Sequence, residues 1–226
     1  MITRRTLDRK WSPDERDHNW TVAKRLTLPP SRLKSRLWAD NEWWGDQLDT
    51  PQCVGYAWAH WIEDGPVTHR GVAPILPPTR IYEGAQLSDE WEGEGYDGTS
   101  VRGAAKWLKA QGYISSYLWA FDVASIIQVL LTRGPMVVGT NWYDGMFTPS
   151  PSGVISPWGE VAGGHAYVLN GVDTRVQRFR IKNSWGKGWG VGGHAWISFT
   201  NFARLLAEDG EACIAIEKSD TQWPRN

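Results

Sequence analysis

The chain has 226 residues, 41% hydrophobic and 22% charged, a balance that suits one folded domain or two small lobes and excludes a disordered chain. Twenty-four Lys and Arg against 25 Asp and Glu leave a net charge of −1, without the basic footprint of a dedicated nucleic-acid binder. Two cysteines, Cys53 and Cys213, form at most one bridge, which excludes a disulfide scaffold and argues against a thiolate-rich zinc site.

Residues 1–27 mix Arg, Lys and Asp with little periodicity and read as an extension that wraps onto a domain spanning 28–226. Arg4-Arg5 are followed by no apolar stretch of the signal-peptide kind, and no apolar run approaches the roughly 18–20 residues of a membrane span. A cytoplasmic protein is the expectation. Pro29-Pro30 marks a stiff boundary. The run from Cys53 to Ile62 is almost wholly apolar and predicts a helix buried nearly all round, stopped by Asp64-Gly65-Pro66. Residues 66–98, rich in Pro and Gly and then acidic from Asp89 to Glu94, read as loops. A second helix is expected over 100–109, closed by Gly112, and a third over 123–132, capped by Asp122 and ended by Gly134-Pro135. Beyond these the period changes to that of strands, at 136–138, 166–169, 179–182, 195–199 and 213–216. Helices first and strands after predict an α+β fold, a helical lobe at about 45–133 facing a sheet lobe at about 134–218. Sixteen Trp, densest at Trp43-Trp44 and at Trp185 with Trp189, supply large rigid bodies for a core or a groove.

A thiol in the first turn of a buried helix lies where the helix dipole and free amides favour its thiolate, and Cys53 stands there; its other reading is a small buried hydrophobe. A nucleophilic thiol needs a base and a group to orient it. Of the five histidines, His165 follows Gly163-Gly164 and leads into a strand, which sets an imidazole at a sheet edge kept open by small residues. His60 reads as a core residue, His18 and His69 as solvated, and His194, which begins a strand after Gly192-Gly193, as a turn residue without a catalytic part. Asn183 closes a strand and is placed to accept the imidazole N–H, with Trp185 to shield that bond from water. The Cys53 amide and the Gln47 side chain are candidate donors to a developing oxyanion.

Gln47 with the run from Cys53 to Ala59, the Gly164-His165-Ala166 step, and the run from Ile181 through Asn183-Ser184-Trp185-Gly186 to Gly190 resemble the papain-like cysteine peptidases. The resemblance covers about residues 28–218. It implies a papain-like two-lobe fold with the active-site cleft between the lobes, and Cys53 as nucleophile, His165 as base, Asn183 as orienting residue and Gln47 as oxyanion amide. It further implies that Gly98 pairs through its backbone with the substrate main chain and that Gly164 and Ala166 line the cleft. Val54 stands where the family usually has Trp, and Thr50 where a cysteine is usual, so this resembles a compact, disulfide-free, bacterial or viral type of member.

The chemistry expected is hydrolysis of a peptide or isopeptide bond through a Cys53 thioester, with no cofactor or metal. The partner expected is a peptide or protein substrate, with no nucleic acid or membrane, and the chain is expected to be a monomer. Transfer of the acyl group to an amine and a peptide-binding module without catalysis stay open as alternatives. Cys53 should have a depressed pKa and Cys213 should be buried and inert. The acidic stretch before Gly98 suggests a basic peptide or merely a solvated loop, and Glu217 or Lys218 is the candidate floor of the main specificity pocket.

Overall fold

A computed structural model describes residues 5–41, 43–64, 66, 74–89, 91 and 96–217. The N-terminal part holds a short helix α1 (Val22–Arg25) and a three-residue strand β1 (Ser35–Leu37). Helix α2 (Cys53–Asp64) begins at Cys53 as expected, and all its residues but Tyr56 are buried. Two helices pack against it, α3 (Pro78–Gln86) and α4 (Val101–Ala110).

Helix α3 corrects the reading of 66–98 as loops. Pro78 occupies the first turn, where its missing N–H costs nothing, so Pro77-Pro78 starts a helix here. Its Gly84 lets the Trp107 ring of α4 approach to where a Cβ would lie, 2.2 Å from the indole. Gly55 of α2 likewise lets the Pro78 carbonyl come within 2.3 Å of a would-be Cβ, so α2 and α3 touch backbone to side. Ser100 caps α4 by accepting from the Gly103 amide at 2.8 Å, and Gly112 closes the turn after it at φ +84°.

Strand β2 (Ile114–Ala120) follows, then α5 (Val123–Thr132), where Asp122 accepts from the Ser125 amide at 2.7 Å. Strands β3 (Met136–Tyr143), β4 (Val161–Asp173), β5 (Arg178–Lys182) and β6 (His194–Ser198) lead to helix α6 (Phe199–Ala207) and strand β7 (Glu211–Glu217). All pair antiparallel in one sheet of order β2-β7-β3-β4-β5-β6, with β1 added beside β4. Helices-then-strands therefore holds only in outline: β2 precedes α5 yet pairs with β7, and α6 interrupts the strands.

Strand alternation divides the interior into two cores. Val137, Ala166, Val168 and Cys213 face the helical core built on α2 and α4, whereas Val138, Tyr167, Leu169 and Ile214 face the core covered by α5 and α6. Cys213 is thus a core residue, fully buried, with burial pushing its thiol far up, as its expected inertness requires.

Candidate active site

The first turn of α2 meets β4 beside His165. The backbone amides of Ala166, the residue after His165, and of Asp8 lie near the Cys53 thiol and favour its charged form. His165 lies on β4 opposite Thr140 of β3, with no exposed surface. Its Nε2 donates to Asn183 Oδ1 at 2.8 Å, and its Nδ1 is buried with no hydrogen-bond partner among the described residues. Asn183 Oδ1 also accepts from the Ser184 amide at 2.8 Å, which fixes the side chain by its own backbone. Trp185 stacks on the imidazole at 4.9 Å between centroids, and Trp142 meets it edge-on at 4.8 Å. Two indoles thus keep water from the His165–Asn183 bond.

Gln47 is anchored to the same turn. Its Oε1 accepts from Ser184 Oγ at 2.6 Å and its backbone N–H donates to the Ser184 carbonyl at 2.8 Å. Its Nε2 donates to the carbonyls of Thr50 at 3.0 Å and Thr6 at 3.1 Å.

Thr6 and Asp8 belong to a strap, residues 6–10, that threads between the two sides of the site. The Arg9 amide donates to the Gly164 carbonyl at 2.8 Å, the Lys10 amide to the Thr99 carbonyl at 2.9 Å, and the Thr99 amide to the Asp8 carbonyl at 3.3 Å. Glycines make the passage: a Cβ would lie 2.0 Å from the Asp8 carbonyl at Gly98, 2.9 Å from Leu7 at Gly163 and 2.1 Å from the Arg9 carbonyl at Gly164. The backbone that pairs with the strap is that of Thr99, not Gly98, whose own amide donates to the Tyr82 hydroxyl at 3.0 Å. Gly98 contributes its φ of +84° and its missing side chain.

The strap changes the electrostatics expected of the thiol. Cys53 is completely buried, and that burial pushes its pKa above the usual thiol value, against the smaller opposing effects of the two amides and Arg9. Burial likewise pushes His165 down to about 4. The expected low thiol pKa is therefore absent while the strap is seated; thiol and imidazole both rest neutral near pH 7.

Behind the site lies a buried polar network that local sequence gives no sign of. Lys182, the residue before Asn183, is fully buried and pairs with the equally buried Asp64 at the end of α2. Asp40 joins it, receiving Asn170 Nδ2 at 2.7 Å with His194 Nε2 at 3.2 Å. Asn41 donates to Asp64 and Glu63, and His60 Nε2 meets the Trp44 carbonyl at 2.5 Å. These contacts tie the segment carrying Gln47 to both α2 and β5. His194 begins a strand as read but serves the network rather than a turn, and His60 is a core residue as read; His18 is exposed against Phe121, and His69 lies outside the described residues.

A second acid, not singled out from the sequence, lies beside the strap. Glu211, at the start of β7, is 4% exposed and faces Arg9 of the strap, whereas Glu217 stands at the far end of the same strand and Lys218 lies outside the described residues. Of the acidic stretch, Asp89 turns inward to accept from Thr99 and Ser100 hydroxyls, and positions 90 and 92–94 lie outside the described residues. Among the described residues no cluster of His, Cys, Asp and Glu could hold a metal ion, and no helix is long and apolar enough to cross a membrane.

The sequence profile of the papain family cysteine proteases matches residues 80–212, more than half of the chain and including His165 and Asn183. No curated protein matches it in sequence. Among solved structures the chain is similar to xylellain, a cysteine protease from Xylella fastidiosa, at 17% identity and TM-score 0.71, over 97% of this chain and 100% of that one. It is similar to the bromelain protease from Ananas comosus in complex with the E64 inhibitor, at 14% identity and TM-score 0.58, over 82% of this chain and 100% of that one. Digestive procathepsin L 3 of the Tenebrio molitor larval midgut aligns at 15% identity and TM-score 0.63, over 85% of this chain and 73% of that one. With an α+β papain-like fold and a profile match of this extent, the chain belongs to the papain family of cysteine proteases.

Proposed function

We propose that the chain cleaves peptide or isopeptide bonds by attack of Cys53 Sγ on the scissile carbonyl. His165 takes the thiol proton and passes it to the leaving amine; a water, deprotonated by the same imidazole, then opens the thioester and releases the acid. Asn183 holds the imidazole in one tautomer, and the Gln47 amide with the Cys53 backbone N–H stabilises the oxyanion.

One observation carries the reading: an extended peptide already fits this cleft. The strap lies with a carbonyl on Gln47 Nε2, an amide near the Cys53 thiol, and backbone bonds to Thr99 and Gly164 on either side. A substrate needs the same path, so the strap must leave first, and residues 5–27 act as a cover that holds the site neutral and closed.

Turnover of a fluorogenic peptide library by the full chain and by Cys53→Ala tests this. Cleavage by the first and none by the second is the expected result; equal cleavage, or none by either after the strap is loosened, removes it. Products formed with an added primary amine separate hydrolysis, which leaves a free acid, from acyl transfer, which leaves an amide.

A further inference from the structure

The strap also marks a pocket by the side chain it inserts. The Arg9 side chain, 1% exposed, reaches beneath the strap to Glu211, with Nη1 3.7 Å from Oε1. Its Nη2 donates to the Asp209 carbonyl at 3.1 Å, from a backbone held at φ +63°. Gly139, opposite Glu211 in the sheet register, gives both groups room: a Cβ there would lie 2.9 Å from Arg9 Nε and from Glu211 Oε1.

This is a poor structural ion pair. Arg9 Nε and Glu211 Oε1 are both buried and neither has a hydrogen-bond partner among the described residues. A carboxylate buried with an oxygen unmatched costs stability, and apolar side chains would fill a purely structural position better. The acid is explained if a cation regularly enters from the cleft. The Arg9 amide donates to the carbonyl of Gly164, the residue before His165, so the pocket that holds the Arg9 side chain opens beside the candidate catalytic imidazole. We propose that Glu211 is the specificity-determining floor of a substrate pocket, that the peptides cleaved carry Arg or Lys at the position entering it, and that Arg9 is their intramolecular stand-in. The proposal rests on the peptidase reading above and adds the substrate class to it.

The test uses the full chain carrying Arg9→Ala, which empties the pocket, alone and combined with Glu211→Gln or Glu211→Leu, on a positional-scanning peptide library. At one position Arg is expected to exceed Leu in kcat/KM by about tenfold or more, as a buried charge partner allows. Glu211→Gln should reduce that ratio and Glu211→Leu abolish or invert it, while turnover of the Leu peptides persists and shows the variants folded. Turnover with no preference for a basic residue at any position, or a preference unchanged in both variants, overturns the proposal and leaves Glu211 as an anchor for the strap alone. If no variant turns over any peptide, the peptidase reading fails separately. The pocket is then judged by fluorescence-polarisation binding of labelled Arg and Leu hexapeptides to the chain carrying Cys53→Ala and Arg9→Ala. Tighter binding of the Arg peptide, lost with Glu211→Leu, upholds it, and equal binding overturns it.

Discussion

Asn183 Oδ1 accepts from both the His165 ring and the Ser184 amide, so the imidazole is aimed by a group that its own backbone locks. An amide can do this without adding a charge beside a nascent thiolate–imidazolium pair. Asn183→Ala should lower kcat by about a hundredfold, within the span of general acid–base catalysis, with KM little changed. Steady-state kinetics on one peptide check it, and a loss confined to KM would contradict the orienting role. Glu211 permits a second prediction. Burial raises its carboxyl to about 7, with Arg9 the largest opposing influence. The unfolded value is about 4.5. A raised carboxyl favours the folded state fully below the unfolded pKa, and the contribution is lost as pH rises through the folded one. Between pH 4.5 and 7 the wild type should therefore lose on the order of 3 kcal/mol more than Glu211→Gln. Urea midpoints at the two pH values measure the difference, and parallel pH profiles would contradict it.

The elements place these side chains through close backbone approaches. At Gly55, two residues beyond Cys53, a Cβ would meet the Pro78 carbonyl at 2.3 Å, and a backbone atom cannot turn aside. Gly55→Ala should force α2 and α3 apart at a cost of about 1–3 kcal/mol and shift Cys53 with them. Denaturant unfolding would show it; an unchanged midpoint would mean the helices adjust freely. Elements whose signals are local are legible in the sequence. Asp122 announces α5, and the apolar run from Cys53 announces α2. Helix α3 is hidden because Pro and Gly, counted there as loop residues, act as a helix start and a packing gap. Strand β2 is hidden because Ser115 and Ser116 interrupt its apolar pattern beside a bulge, and its partner β7 is the last strand of the chain. The candidate catalytic residues follow the same rule. Cys53, His165, Asn183 and Gln47 each sit in telling local sequence, whereas Glu211 acquires meaning only when Arg9 is brought to it across the fold. Lys182 and Asp64 look like surface residues in sequence, and only the packing of α2 on β5 shows them as a buried pair.

At the scale of the whole molecule, the proposed function makes the N-terminal segment the control on whether the site can react. Burial keeps Cys53 and His165 neutral, and on the proposed reading displacing the strap exposes the thiol, lowers the penalty on its charge and lets the thiolate–imidazolium pair form. A carboxylate in place of Arg9 would face Glu211 and drive the strap out. The most direct measurement is intact-mass labelling with a peptidyl epoxide at about pH 8.5, above the raised Glu211 pKa so that both carboxyls are ionised, on the wild type, Arg9→Glu, and Arg9→Glu with Cys53→Ser. The expected result is one adduct forming quickly on Arg9→Glu, more slowly on the wild type, and not at all once Cys53 is replaced. No adduct on Arg9→Glu, or an adduct that survives the loss of Cys53, would contradict a covered cysteine peptidase.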